Sequence, residues 1–183
     1  MKKLKSSLTN MVLVLTGIAI VAGAALAAIN AVTAPQIEKI NNDNLNAGIV
    51  KVLGGGDIQI PEAQEQNGFE FYKTDKGTAV VTTENGFGGK LKILVGFDDE
   101  GTVKGYTILE HAETPGLGAK AGDWFQEGGK GNIIGRNPGK RKLQVSKDTN
   151  DKQDVDAITA STITSRAFLK AIQNAYTEFY ANK

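Results

Sequence analysis

Leu91-Lys92-Ile93-Leu94-Val95-Gly96-Phe97, then Asp98-Asp99-Glu100-Gly101, then Val103-Lys104-Gly105-Tyr106-Thr107-Ile108-Leu109, is the stretch that decides the fold. Two runs rich in branched and aromatic residues flank a short acidic and glycine-containing loop. That pattern predicts an antiparallel hairpin. Upstream, Phe69-Glu70-Phe71-Tyr72 and the run from Gly77 to Thr83 read as two more strands, turned at Asp75-Lys76-Gly77. Between the two pairs lies a tight glycine turn, Gly86-Phe87-Gly88-Gly89, and Leu143-Gln144-Val145 reads as a further short strand. Downstream, Phe168, Ile172, Ala175 and Phe179 recur at helical spacing from about Ser161 to the end. An antiparallel sheet with a C-terminal helix packed on it is an α+β fold.

The N-terminus adds a second element. From Met11 to Val32 no residue is charged. A helix of that length spans roughly 33 Å, against about 30 Å for a bilayer core. Lys2, Lys3 and Lys5 precede it, and the next charges are Glu38 and Lys39. The positive-inside rule then predicts a cytoplasmic N-terminus and an extracytoplasmic remainder, on the periplasmic face of an inner membrane. Ala25-Leu26-Ala27 offers the rival reading of a cleaved signal peptide, but the apolar run continues through that site. Gly17, Gly23 and the many alanines suit a span that packs closely on other membrane helices. Pro35 is expected to break the chain away from the span. Ile37, Ile40, Leu45, Ile49, Val52 and Leu53 then suggest an amphipathic stalk up to Gly54-Gly55-Gly56. The expected divisions are 1–34 (N-terminus and single transmembrane anchor in lipid), 35–56 (stalk helix) and 57–183 (the α+β domain).

Composition excludes several functions. The chain has 183 residues, with 21 Lys and Arg against 20 Asp and Glu. A balanced charge gives no electrostatic case for nucleic acid. There is no cysteine, so disulfides, thiolate catalysis and iron–sulfur or cysteine–zinc ligation are out. A single histidine, His111, excludes a multi-histidine metal site. Gly128-Gly129-Lys130-Gly131 lacks the spacing of a phosphate-binding P-loop. Asp148, Asn150, Asp151 and Asp154 resemble a calcium loop only superficially: Lys152 falls at a ligand position and Thr159 where the bidentate glutamate belongs. Arg136, Lys140, Arg141 and Lys142 read as a solvated basic patch, and Trp124 and Phe125 as core.

Two segments could carry chemistry. Val155-Asp156-Ala157-Ile158-Thr159-Ala160-Ser161-Thr162-Ile163-Thr164-Ser165 places small hydroxyl residues directly before an amphipathic helix. Thr159 or Ser161 can cap that helix. Its first N–H groups and positive dipole end suit a phosphate, although an ordinary capped helix is the simpler explanation of the local pattern alone. Glu110-His111-Ala112-Glu113-Thr114-Pro115-Gly116-Leu117-Gly118 reads as a strand end followed by a Pro-Gly turn. His111 and Glu113 there are either an acid–base pair or part of a solvated loop.

Together these segments resemble the FMN-binding domain family, over about Gly86 to Ala171. Asp156, Thr159, Thr162, Ile163, Thr164 and Ser165 fit that family's flavinylation motif. Ala160 and Ser161 stand where glycine and alanine are commoner. Glu113-Thr114-Pro115-Gly116-Leu117-Gly118 is similar to the loop that lies against the flavin in the family. The resemblance implies FMN joined covalently through its phosphate to Thr162, placed there by a flavin transferase that splits FAD. It implies that Thr159, Ser161 and the following N–H groups hold the phosphate. Asp156 would order the segment or assist modification, and Glu113, Thr114, Gly116, Leu117 and Gly118 would pack on the isoalloxazine. The layout of one span, a stalk and one FMN domain resembles the flavin-carrying subunits of Rnf-type complexes. These pass electrons among other membrane subunits and couple ferredoxin oxidation and NAD+ reduction to ion transport. The related subunits of sodium-translocating NADH:quinone oxidoreductases are similar but usually longer. A stand-alone anchored flavoprotein and a flavin-free anchored assembly module remain as alternatives.

Overall fold

A computed structural model describes residues 7–181. The basic residues Lys2, Lys3 and Lys5, on which the predicted orientation rests, lie outside the described residues. The chain divides into two units, Met1–Asp43 and Asn44–Lys183. The boundary falls inside helix α1, Leu8–Val52.

In the first unit the helix is long and apolar enough to cross a membrane. Its most apolar 18-residue window has a mean hydropathy of 2.6 and none of it is buried. Pro35 lies inside α1 and does not end it. A proline removes one backbone bond and crowds the carbonyl four residues back, which costs about 3 kcal/mol. Long helical segments on both sides outweigh that cost.

The second unit is built on a five-stranded antiparallel meander. β1 (Gln64–Gln66), β2 (Phe69–Thr74), β3 (Gly77–Asn85), β4 (Lys90–Phe97) and β5 (Val103–His111) lie in sequence order. β3 and β4 share the longest ladder, from Thr78 opposite Phe97 to Asn85 opposite Lys90. The β4–β5 loop closes on Asp98, whose carboxylate accepts the Glu100 and Thr102 N–H groups at 2.9 and 2.7 Å. After β5 come a 3₁₀ turn (Gly118–Lys120), α2 (Ala121–Trp124), α3 (Ser146–Thr149) and α4 (Thr162–Ala181). Leu143-Gln144-Val145 does not form a strand. Val145 makes only an isolated bridge to Val155.

The sheet is covered on both faces. On one, Phe71, Val80, Leu91, Ile93, Val95 and Phe97 pack against Phe168, Ile172, Ala175 and Phe179 of α4. Phe125 stacks on Phe168 with centroids 4.3 Å apart, so this aromatic belongs to the core as expected. On the other face Tyr72, Ala79, Val81 and Leu94 bury Ile49 and Val52 from the end of α1 and Leu53 just after it. The last turns of α1 are therefore part of the domain's core and not a free stalk. β4 carries the reason in its sequence: from Leu94 to Phe97 every residue is buried, the pattern of a strand covered on both sides.

Truncating Ile49 tests that second core. Ile49→Ala should destabilise the domain by about 2–5 kcal/mol in a denaturant titration. A change near zero would mean that the helix end is solvated.

Candidate functional site

A cleft of about 320 Å³ opens between the loop after β5 and the start of α4. It is lined by Phe87, Glu113, Thr114, Leu117, Gly118 and residues 160–164. The two segments singled out by sequence therefore meet, although Glu113 and Thr164 are 51 residues apart.

The loop side is shaped by a turn. The Thr114 carbonyl accepts the Leu117 N–H at 3.1 Å, and Gly116 takes a φ of 79° at the position where a Pro-Gly turn calls for it. The turn lifts Leu117 into solvent, 41% exposed. Glu113 then points inward. Its Oε1 accepts the N–H groups of Phe87 and Gly88 at 2.8 and 3.1 Å, and its Oε2 accepts the Thr164 hydroxyl at 2.8 Å. A Cβ on Gly86 would collide with Oε1, and one on Gly118 with Oε2. A side chain at either place would have to displace the carboxylate. Glu113 is therefore neither half of an acid–base pair with His111 nor part of a solvated loop. The His111 ring accepts the Glu113 backbone N–H at 3.2 Å, away from the carboxylate.

The helix side is shaped by hydroxyls. Ser161 precedes the first residue of α4, and its carbonyl accepts the Ser165 N–H at 3.0 Å. Ser161, not Thr159, thus takes the N-cap position. The N–H groups of Thr162, Ile163 and Thr164 then have no intrahelical acceptor. Ser165 donates its hydroxyl to the Ser161 carbonyl at 2.9 Å and accepts the Ile158 N–H at 3.0 Å. Thr164 and Ser165 are both fully buried. Thr162 is half-buried in the cleft wall, and among the described residues its hydroxyl forms no hydrogen bond. Ala160, third residue of the turn from Ile158 to Ser161, takes a φ of 63°. A side chain there is strained by about 1–2 kcal/mol.

Not every residue expected at the site is in it. Ser161, Thr162, Ile163, Glu113, Thr114, Leu117 and Gly118 line the cleft; Thr159, Asp156 and Gly116 do not. Asp156 instead accepts the Ser146 hydroxyl at 2.8 Å, and its carbonyl accepts the Trp124 indole N–H at 2.8 Å. It fastens the chain leading to α4. Phe87, 72% exposed, was not foreseen. The signal was a single large aromatic set among glycines.

The calcium-like acidic segment has its own explanation. Asp154 is buried and accepts from Arg141, Thr149 and Gln144, while Asp151 pairs with the same guanidinium. Arg166 forks onto Asp148. No group of residues suited to a metal ion occurs among the described residues. The basic patch is likewise engaged: Arg141 in this network, Arg136 on the Gln153 carbonyl at 2.9 Å. The Thr149 hydroxyl and Arg141 hold Asp154 below the usual carboxylate range, and Arg166 does the same for Asp148.

A cleft with exposed apolar lips at Phe87, Leu117 and Ile163, beside a helix start with unpaired N–H groups, can take a flat, phosphate-bearing ligand. FMN fits these residues: the lips suit its ring and the helix start its phosphate. The FMN-binding domain family matches residues 86–177, and the chain belongs to that family. It is 32% identical to the G subunit of the Na(+)-translocating ferredoxin:NAD(+) oxidoreductase complex of Acetobacterium woodii, over 93% of this chain and 90% of that one. It is 37% identical to the G subunit of the ion-translocating oxidoreductase complex of Cronobacter sakazakii, over 67% and 56%. The corresponding subunit of the proton-translocating complex of Clostridium ljungdahlii is 34% identical over 58% and 57%. The chain spans about half the length of several such relatives. The chain is an FMN-binding protein with one helix long and apolar enough to anchor it in a membrane.

Two outcomes follow from the geometry. Ala160→Gly should relieve the left-handed strain and stabilise the domain by about 0.5–1 kcal/mol, read as a higher thermal midpoint; a lower midpoint would contradict the positive φ. The depressed carboxyl pKa values of Asp148, Asp151 and Asp154 contribute stability that is present above the unfolded value, about 3.9, and lost as pH falls through the folded ones. Arg141→Met should therefore lower the midpoint at pH 7 more than at pH 3. Equal losses at both would exclude the network as the source.

Proposed function

We propose that this chain is the covalent-FMN electron carrier of an ion-translocating ferredoxin:NAD+ oxidoreductase of the Rnf type. In this reading the FMN phosphate is esterified to the Thr162 hydroxyl. The domain lies on the extracytoplasmic side of the membrane, and its partners are the complex's other membrane subunits. One observation carries the attachment: Thr164 and Ser165 commit their hydroxyls inside the protein, whereas Thr162 keeps its own free in the cleft wall.

The chain's residues then divide the work. A flavin transferase would deliver FMN from FAD: the Thr162 oxygen bonds to the FMN phosphorus, the hydroxyl proton leaves, and AMP departs. The N–H groups of Ile163 and Thr164 would hold the phosphate oxygens with the positive end of α4 behind them. Phe87, Leu117 and Ile163 would cover the ring and exclude water from its faces. Bound FMN supplies the ability to take up and release electrons singly, which no side chain here can do. The hydroxyl–carboxylate pair in the cleft wall, Thr164 and Glu113, is buried, and substrate chemistry of the chain's own is not part of the proposal. A tethered cofactor has a purpose outside the cytoplasm, where a lost FMN would not be readily replaced.

The test is intact mass with peptide mapping. Protein co-expressed with the transferase should carry one FMN, less one water, on the peptide containing Thr162, and fluoresce in a denaturing gel. Thr162→Ala should lose both signals, while the fold, read by circular dichroism, stays. Wild-type protein with no adduct would overturn the covalent reading and favour a flavin-free assembly module.

A further inference from the structure

Glu113 is 6% exposed and lies in the cleft wall. Its three partners are two backbone N–H groups and one hydroxyl. All are neutral, and among the described residues no ion pair includes Glu113. Dipoles can hold a carboxylate in place, but they do not cancel its net charge at a distance. The cleft therefore has a fixed negative charge in a poorly solvated wall.

We propose that Glu113 sets the redox poise of the site: its carboxylate lowers the reduction potential of an FMN held in the cleft. The inference rests on the reading that FMN occupies this cleft. An electron added to the ring without a proton adds one negative charge beside another, and the low local dielectric magnifies the repulsion. An electron added together with a proton from water adds no charge and escapes the penalty. Glu113 thus opposes bare electron uptake and favours uptake accompanied by a proton. It acts through its field and not by moving a proton, since both oxygens are engaged by donors and enclosed by Gly86 and Gly118. Glu113 lines the same cleft as Thr162, the proposed attachment point.

Glutamine separates charge from shape. In Glu113→Gln the amide oxygen can still accept the Phe87 and Gly88 N–H groups. The amide nitrogen can donate to the Thr164 oxygen once that hydroxyl rotates. All three contacts survive and the charge is gone. Glu113→Asp does the reverse, keeping the charge and disturbing the contacts.

Full-length protein, with FMN loading verified by intact mass, is titrated with dithionite through dye mediators at pH 7 and followed by flavin absorbance. Glu113→Gln should raise the potential, seen as about a tenfold or larger rise in the reduced-to-oxidised ratio at fixed ambient potential, with little change in thermal midpoint. Glu113→Asp should lower the midpoint and leave the potential near wild type. A loaded Glu113→Gln protein with the wild-type potential overturns this inference alone. Wild-type protein without flavin overturns it together with the reading beneath it. Should Glu113→Gln not fold, Glu113→Asp decides: a wild-type potential supports the charge, and a shifted one overturns it.

Discussion

A buried carboxylate that receives three hydrogen bonds is hard to displace. Each donor it lost would leave a buried polar group unpaired, at about 1–3 kcal/mol. Glu113 is in that position, and its three bonds tie together three separate segments: the glycine turn before β4, its own loop after β5 and the first turn of α4. The two loops are not held there by regular secondary structure. The cleft exists because one side chain draws them to the helix. The glycines around it follow from the same constraint, since a Cβ at Gly86 or Gly118 would occupy the carboxylate's place.

The sheet was legible because its signal is local. Branched residues in short runs, separated by Asp and Gly, define β2 to β5 to within two residues at each end. The meeting of the two motifs was legible only through resemblance, because Glu113 and Thr164 pair across a long stretch of the domain. Three features escaped for identifiable reasons. The end of α1 looked like a stalk because its apolar residues are few, yet the partner surface from Ala79, Val81 and Leu94 lies on strands whose second face gave no polar alternation to read. Leu143-Gln144-Val145 has strand composition, but the neighbouring chain offers it a single bridge. Glu113 looked solvated because a charged residue beside Pro and Gly usually is, and nothing local reveals three donors arriving from elsewhere.

Around the helix start the hydroxyl run divides its labour by helix geometry. Residues three and four apart share a face, so Ser161 and Ser165 close on each other beneath the first turn. Thr164 turns toward Glu113, and Thr162 is left at the cleft wall. A sequence of similar residues thereby leaves Thr162 more exposed than the buried Ser161, Thr164 and Ser165. Ala160 shows the cost of this arrangement. The chain must reverse sharply before α4, and it does so through a left-handed residue that carries a side chain. The Arg141–Asp154 network and the Trp124–Asp156 contact secure the chain that enters this turn. The acidic residues that resembled a calcium loop, together with Trp124, therefore hold the scaffold of the site.

The two sides of the cleft bring opposite electrostatics to one place. The start of α4 contributes partial positive charge from unpaired N–H groups, which favours a phosphate. Glu113 contributes a full negative charge close by, which a phosphate would avoid and a reduced ring would feel. A ligand with a phosphate at one end and a flat ring at the other can satisfy the first and be tuned by the second. The bond from Thr164 to Glu113 fixes the distance between these two charges. On the proposed reading, a change that loosened this contact would disturb both the phosphate end of the cleft and the charge in its wall.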